Sequence, residues 1–216
     1  MANDLFKLIS SDDLQQLRSV LAENPKLTNE GVYLDDGNPN KGHPLHRLCD
    51  AVFAKKITDE RAVEIAKILL EFGADIDGYK SSKDNNTPLI AAASLNAEKL
   101  GIFYIEHDAD IFYAAPNDGA TALHWAAFCG KDKLLAKLVS KAADLNQHDT
   151  TYNGTPVDWA VHVLMSGDAS SPQDLLTCVK LLLKAGADQS LLYPTSVEYL
   201  QSEAKGDLEL AELMVK

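Results

Sequence analysis

The sequence predicts an all-α fold, a stack of antiparallel helix pairs with a turn-rich connection after each pair. Two motifs that recur in fixed order carry the prediction. The first reads "GHPLHRLCD" at 42–50, "NTPLIAAAS" at 86–94, "TALHWAAFCG" at 121–130 and "GTPVDWAVH" at 154–162. The second reads "FGADID" at 72–77, "HDADIF" at 107–112, "KAADLN" at 141–146 and "AGADQS" at 185–190. Thr87, Thr121 and Thr155 open their copies 34 residues apart, and His43 holds the same position 44 residues before Thr87. A period of this length marks an array of helical units, each leaning on its neighbours.

The copy at 117–150 explains the elements in order. "NDG" at 117–119 is turn chemistry, with Gly119 able to take positive φ. Thr121 is placed to cap the first helix, as Thr87 and Thr155 are in their copies. Pro88 and Pro156 follow at the first helical position, where a missing N–H costs nothing. Leu123, Ala126 and Ala127 give a short helix with a small-residue face, and Gly130 stops it. Leu134, Leu135, Leu138 and Val139 then form one apolar stripe on a second helix. A lone pair of this size cannot bury its apolar face, so stacking is required.

This combination resembles the ankyrin repeat family, most strongly at 86–111 and 119–146 and also at 42–77 and 154–188. The resemblance implies a β-hairpin finger before each pair and a gently curved solenoid. It also implies that the motif histidines, His46 and His124, bond to backbone in the adjoining loop. Ile90 and Asp158 stand at that position in the other copies, which are therefore expected to lack the tie.

One repeat domain over 1–216 is expected. It divides into an N-terminal cap at 1–33, a repeat with an insertion at 34–79, and repeats at 80–113 and 114–147. A second inserted repeat at 148–192 and a C-terminal cap at 193–216 complete it. Ser11-Asp12 is the expected cap of the second helix. The extra length of the two long copies lies between their helices, around 51–59 and 162–172, and is expected to project as loops. Thr58, and Ser171 with Pro172, would restart the second helices.

The net charge of −12 and the absence of a basic cluster argue against nucleic acid, and favour a basic partner. No run approaches the roughly 18 apolar residues of a membrane span. The opening "MANDLFKLISSDDLQQL" lacks a signal-peptide pattern. Cys49, Cys129 and Cys178, each within an apolar segment, read as reduced buried thiols. A cytoplasmic monomer is the expectation, because the charged termini argue against self-association through the stack ends.

Two catalytic readings compete with packing. His124 five residues before Cys129 suggests a base and a nucleophile, but two copies lack the histidine. Asp149, Thr150, Thr151, Asp158 and His162 suggest acid–base or metal chemistry, yet no HExxH, CxxC pair, phosphate-cradling loop or GxSxG turn is present. No catalytic, cofactor-binding or metal-ligating residue is therefore assigned. Trp125 and Trp159 share one repeat position and are expected to stack.

The leading expectation is a non-enzymatic module that binds a partner protein. One form of it is an inhibitor or immunity-type protein that neutralises an enzyme or toxin. The resemblance implies binding through fingers and a groove lined by Asp50, Ala51, Ser94, Leu95, Phe128, Cys129, His162 and Val163. Tyr33, Tyr79, Tyr113, Tyr152 and Tyr193 lie in the connections, where rigid aromatic area suits contact. The residues assigned to partner binding are Tyr79, Tyr113, Tyr152, Asp118, Phe128, Leu95 and His162.

Overall fold

The computed structural model describes residues 2–11, 13–33, 41–78, 86–168 and 170–214. Contacts divide the chain into two compact units, Met1–Asp110 and Ile111–Lys216. The first unit holds α1 (Ala2–Ile9), α2 (Leu14–Glu23), α3 (Pro44–Phe53), α4 (Asp59–Glu71), α5 (Pro88–Ser94) and α6 (Glu98–Glu106). A short hairpin, β1 (Val32–Tyr33) against β2 (Lys41–Gly42), precedes α3. The second unit holds α7 (Ala122–Phe128), α8 (Asp132–Ser140), α9 (Pro156–Ser166), α10 (Pro172–Lys184), α11 (Pro194–Glu203) and α12 (Leu208–Met214).

Each unit has two layers. In the first, α3 packs on α5 and α4 packs on α6. In the second, α7, α9 and α11 form one layer, with α8, α10 and α12 behind them. The apolar stripes meet between the layers. Leu134, Leu135 and Leu138 are fully buried, as are Leu45, Leu48, Ile65 and Leu69 of the first unit. Tyr104 of α6, wholly buried, crosses to α3 and donates its hydroxyl to Leu45 O at 2.8 Å.

Local chemistry fixes the helix starts. Thr58, Thr87 and Thr155 accept backbone N–H bonds from Arg61, Ile90 and Asp158. Gly130, with φ of 64°, ends α7 and lets Lys131 N reach Ala126 O at 2.8 Å. Two expected caps differ. The first turn of α2 is capped by Asp13, whose carboxylate accepts from Gln16 N at 2.8 Å, while Ser11 turns back to Leu8 O; Asp12 lies outside the described residues. Pro172 starts α10 as expected, but the Ser171 side chain makes no capping bond.

The two long copies do not carry long loops between their helices. Only five residues separate α3 from α4 and α9 from α10, and most of the extra length is helical. α3 and α9 have 10 and 11 residues against 7 in α5 and α7. α4 and α10 have 13 against 9 in α6 and α8. Each helix of a long copy thus gains about one turn, since a turn takes about 3.6 residues. Good helix formers with apolar residues at helical spacing, as in "AVEIAKILL", extend a helix more favourably than they solvate a loop.

The longer α4 acquires a second role. Ala97 offers α6 no side-chain cap, and Asp59 supplies one from the neighbouring pair. Its two carboxylate oxygens accept from Lys99 N at 2.6 Å and Leu100 N at 3.0 Å. Asp59→Ala should therefore lower stability by about 1–2 kcal/mol in a urea titration, as loss of a helix cap does. A change within about 0.3 kcal/mol would mean that water caps α6 equally well.

The second sequence motif proves to be the tie between successive connections. Asn29 Oδ1 accepts from Asp75 N at 2.7 Å, Asp77 Oδ1 from Asp110 N at 2.8 Å, and Asn146 Oδ1 from Asp188 N at 2.8 Å. In each case a side chain near the start of one connection satisfies the amide of the "AD" aspartate in the next copy.

Candidate interaction surface

The stretch at 121–130 is occupied by packing. Thr121 N donates to His124 Nδ1 at 3.2 Å, and the Thr121 hydroxyl lies 2.9 Å from the same nitrogen. His124 is fully buried, and its Nε2 has no partner within hydrogen-bond geometry among the described residues. Burial pulls its pKa down, against the backbone of Gly154 and Gln147, which lies close enough to favour the protonated ring. The Cys129 thiol is pushed up by burial, with Lys131 opposing. A raised thiol beside a histidine committed to its own helix cap is no activated nucleophile.

Asp158, expected to leave its copy without the histidine's tie, supplies a replacement. Its Oδ2 accepts from Thr155 N at 3.0 Å and from the Thr155 hydroxyl at 2.8 Å, closing a capping box. Its Oδ1 accepts from Tyr193 N, in the next connection, at 3.0 Å. A carboxylate with two oxygens caps and bridges at once. Ile90, in the first unit, is buried and does neither.

Asp149 organises the connection before α9. It accepts from Thr151 N at 2.9 Å, Tyr152 N at 2.6 Å, Gly154 N at 2.8 Å and the Trp159 indole at 3.0 Å. Burial raises its pKa, but the bonds from Tyr152, Trp159, Gly154 and Thr151 outweigh that, and the net shift is downward. Asp118 joins the neighbouring connection, its carbonyl accepting from Thr150 N at 2.6 Å while its carboxylate holds Ala120 N. Gly119 has a φ of 70° here, and a Cβ on it would come within 2.8 Å of Thr150. Asp149 and Asp158 of the acid–base set are thus committed to a loop and a helix cap, while His162 stands exposed on α9. Among the described residues, no three His, Cys, Asp or Glu side chains are placed to hold a metal ion.

Four aromatic rings meet on α7 and α9. Trp125 and Trp159 pack edge to face at 5.2 Å between centroids, and Phe128 lies 5.8 Å from each. His124 adds an edge contact to Trp159 at 5.3 Å. The tryptophans stack as their shared repeat position predicts. Trp125, Trp159 and Phe128 all keep part of their surface in solvent.

The residues assigned to partner binding are placed as follows. Tyr152 is 73% exposed, His162 is exposed, and Tyr113, Asp118 and Phe128 are half-buried in the second unit. Leu95 is half-buried at the end of α5 in the first unit. Tyr79 lies outside the described residues. Of the wider groove set, Ala51 is corrected: it is fully buried, because its position on the ten-residue α3 faces the core. Asp50 is half-buried and paired with Arg47 at 2.5 Å. Two connection tyrosines, both half-buried, contact their own chain. Tyr193 donates its hydroxyl to Tyr152 O, and Tyr33 lies beneath Lys41 Nζ, 4.8 Å from the ring centroid. Phe112, 59% exposed, was not singled out by the sequence; its place in "HDADIF", where other copies carry Asp, Asn or Ser, was the available signal.

His43 makes the first unit sensitive to acid. It caps α3 by accepting from Leu45 N at 3.3 Å, and its Nε2 meets Asn29 Oδ1 at 3.0 Å. Burial, with His46 nearby, depresses its pKa to about 4. The unfolded chain takes up this proton below about 6.5, the folded chain only near 4, so stability is full above the first value and falls between the two. The loss should approach roughly 3 kcal/mol by pH 4. Urea titrations between pH 7 and pH 4 should show it, and His43→Asn should flatten that slope.

Paired helices in two layers, tied by loop amides and presenting aromatics from one layer, define a helical repeat protein. A family model of ankyrin repeats, in three copies, matches residues 54–149. Ankyrin repeat and SOCS box protein 6 of Pongo abelii and that of Homo sapiens are each 27% identical over 131 residues, covering 61% of this chain and 28% of theirs. The Mus musculus protein is 26% identical over 131 residues and is covered to 29%. The chain thus spans less than a third of the length of these curated relatives. Residues 54–149 are thus similar to ankyrin repeats, a family whose repeats are modules of protein–protein interaction. No described helix is long and apolar enough to cross a membrane.

Proposed function

We propose that this chain is a non-enzymatic, monomeric binding module of the cytoplasm. It holds a partner protein on the first-helix layer and connections of its second unit. One observation carries the reading. The polar side chains suited to chemistry there, Asp149, Asp158 and His124, are committed to caps and loop bonds, while Tyr152, Phe128 and the tryptophans offer surface. Rigid aromatics flanked by polar loops are the usual anchors of protein interfaces. Neutralising an enzyme or a toxin is one use of such a surface. The cytoplasmic reading is supported by the three cysteines, two buried and one half-buried, which form no disulfide among the described residues, as suits a reducing compartment.

Site-specific photo-crosslinking tests the proposal. A crosslinking phenylalanine analogue at Tyr152 should capture a discrete partner in an extract of the native source. The same analogue at Lys137, on α8, should not. Capture at 137 alone, or at neither position, would overturn the assignment.

A further inference from the structure

The second unit separates its cations by layer. Residues 111–130, 142–171 and 185–204 supply α7, α9, α11 and their connections, and they contain no lysine or arginine. They do contain Asp118, Asp144, Asp149, Asp158, Asp168, Asp188, Glu198 and Glu203. Lys131, Lys133, Lys137, Lys141, Lys180 and Lys184 all belong to the segments that build α8 and α10, and Lys205 and Lys216 to the segment that follows α11. An uncorrelated mixture of charges would place some cations in both layers. A layer free of cations presents a uniformly negative field to an approaching partner.

The aromatic rings lie within this layer, and the Trp159 indole is modified by its surroundings. It donates Nε1–H to the Asp149 carboxylate at 3.0 Å, and that carboxylate is ionised at neutral pH because its pKa is lowered. A donor bonded to an anion is polarised, which moves electron density onto the ring. Tryptophan is already the strongest of the aromatic side chains in attracting cations to its face. No cation of this unit's own first-helix layer competes for it.

Resting on the protein-binding reading above, we infer that the partner presents an arginine-bearing, otherwise apolar segment to the Trp125–Phe128–Trp159 cluster. Asp118 and Tyr152 stand in the connections that lead into α7 and α9. The guanidinium stacks on the polarised indole, and the apolar neighbours cover Phe128 and the ring of Tyr152. Arginine suits this surface better than lysine, because a planar, weakly hydrated cation stacks on rings with less desolvation cost than an ammonium.

The chain's only two tryptophans are Trp125 and Trp159, so intrinsic fluorescence reports on this cluster. The probe is a short capped peptide of alternating arginine and leucine, with its lysine and glutamate counterparts as controls. The arginine peptide should change the emission saturably, bind at least about threefold tighter than the lysine peptide, and leave the glutamate peptide inert. Raising salt from about 0.05 M to about 0.5 M should weaken binding severalfold, since screening shortens the reach of the field.

Three variants locate the effect. Tyr152→Ala removes an exposed ring whose loop is held by backbone bonds, and should weaken binding at least about threefold. Asp118→Asn keeps an acceptor for Ala120 N while removing the charge, and should weaken it by a smaller factor. His162→Lys sets a resident ammonium three residues along α9 from Trp159, and should weaken it most, at least about tenfold. Each variant should keep the parent's far-ultraviolet dichroism and melting curve.

Binding of the glutamate peptide, equal binding of arginine and lysine peptides, or indifference to His162→Lys and Tyr152→Ala would overturn the inference. The protein-binding reading fails separately. A partner crosslinked at position 152 whose affinity ignores His162→Lys would remove the cation specificity and leave the module. Absence of any crosslink would remove the module itself.

Discussion

Asp149→Ala should destabilise the protein by about 3–5 kcal/mol, the largest effect expected of any single polar residue in the second unit. The carboxylate is almost wholly buried and accepts from three backbone amides and one indole. Hydrogen bonds to a charged group contribute about 1.5–3 kcal/mol each, and a buried donor left without an acceptor costs about 1–3 kcal/mol. Thr151 and Tyr152 are exposed, and water can replace their acceptor; Gly154 is buried and Trp159 half-buried. The total is therefore well short of four full bonds. Asp149→Asn, which keeps one accepting oxygen, should lose about half as much. The pKa shift gives an independent check with its own sign. Because the folded pKa is lowered, the contribution is full above the unfolded value of about 3.9 and is lost as pH falls through the folded one. Thermal or urea unfolding of the two variants would reveal the ranking, and a loss below about 1 kcal/mol in Asp149→Ala would show that solvent satisfies all four donors.

Leu138→Ala should cost about 2–5 kcal/mol, the range for emptying a fully enclosed leucine site. Leu138 has no exposed surface, and α8 packs against α7 and α10. Its neighbour Val139 is half-exposed at the edge of the stripe, so Val139→Ala should cost under about 1 kcal/mol. A urea titration in which the two variants lose equally would mean that α8 presents a different face to the core.

The helix pairs and their order were legible because the repeat imposes the same chemistry several times. Threonine before proline, an apolar stripe and a closing glycine each have a local physical cause, and each recurs. What escaped the sequence was longer in range. That Asp59 caps a helix 40 residues away depends on how α4 and α6 lie side by side, which no local pattern encodes. In sequence Asp158 stands where other copies carry histidine, yet its Thr–x–x–Asp spacing is itself a capping-box signal. In sequence the extra residues at 51–59 and 162–172 resemble loops, because a gap between repeat motifs looks the same whether it is coiled or helical. The tyrosines share a connection but not a register. The structure turns Tyr193 and Tyr33 toward their own chain and Tyr152 toward solvent. The segregation of lysines was written in the sequence, yet it acquires meaning only once alternate helices are seen to form separate layers.

The claim that binding belongs to the first-helix layer of the second unit can be tested by hydrogen exchange on the protein with and without its crosslink-identified partner. Slower exchange should appear in the connection at 149–154 and in α7 and α9, with 132–140 of α8 unchanged. Protection confined to α8 and α10, with 149–154 exchanging as in the free protein, would contradict the account.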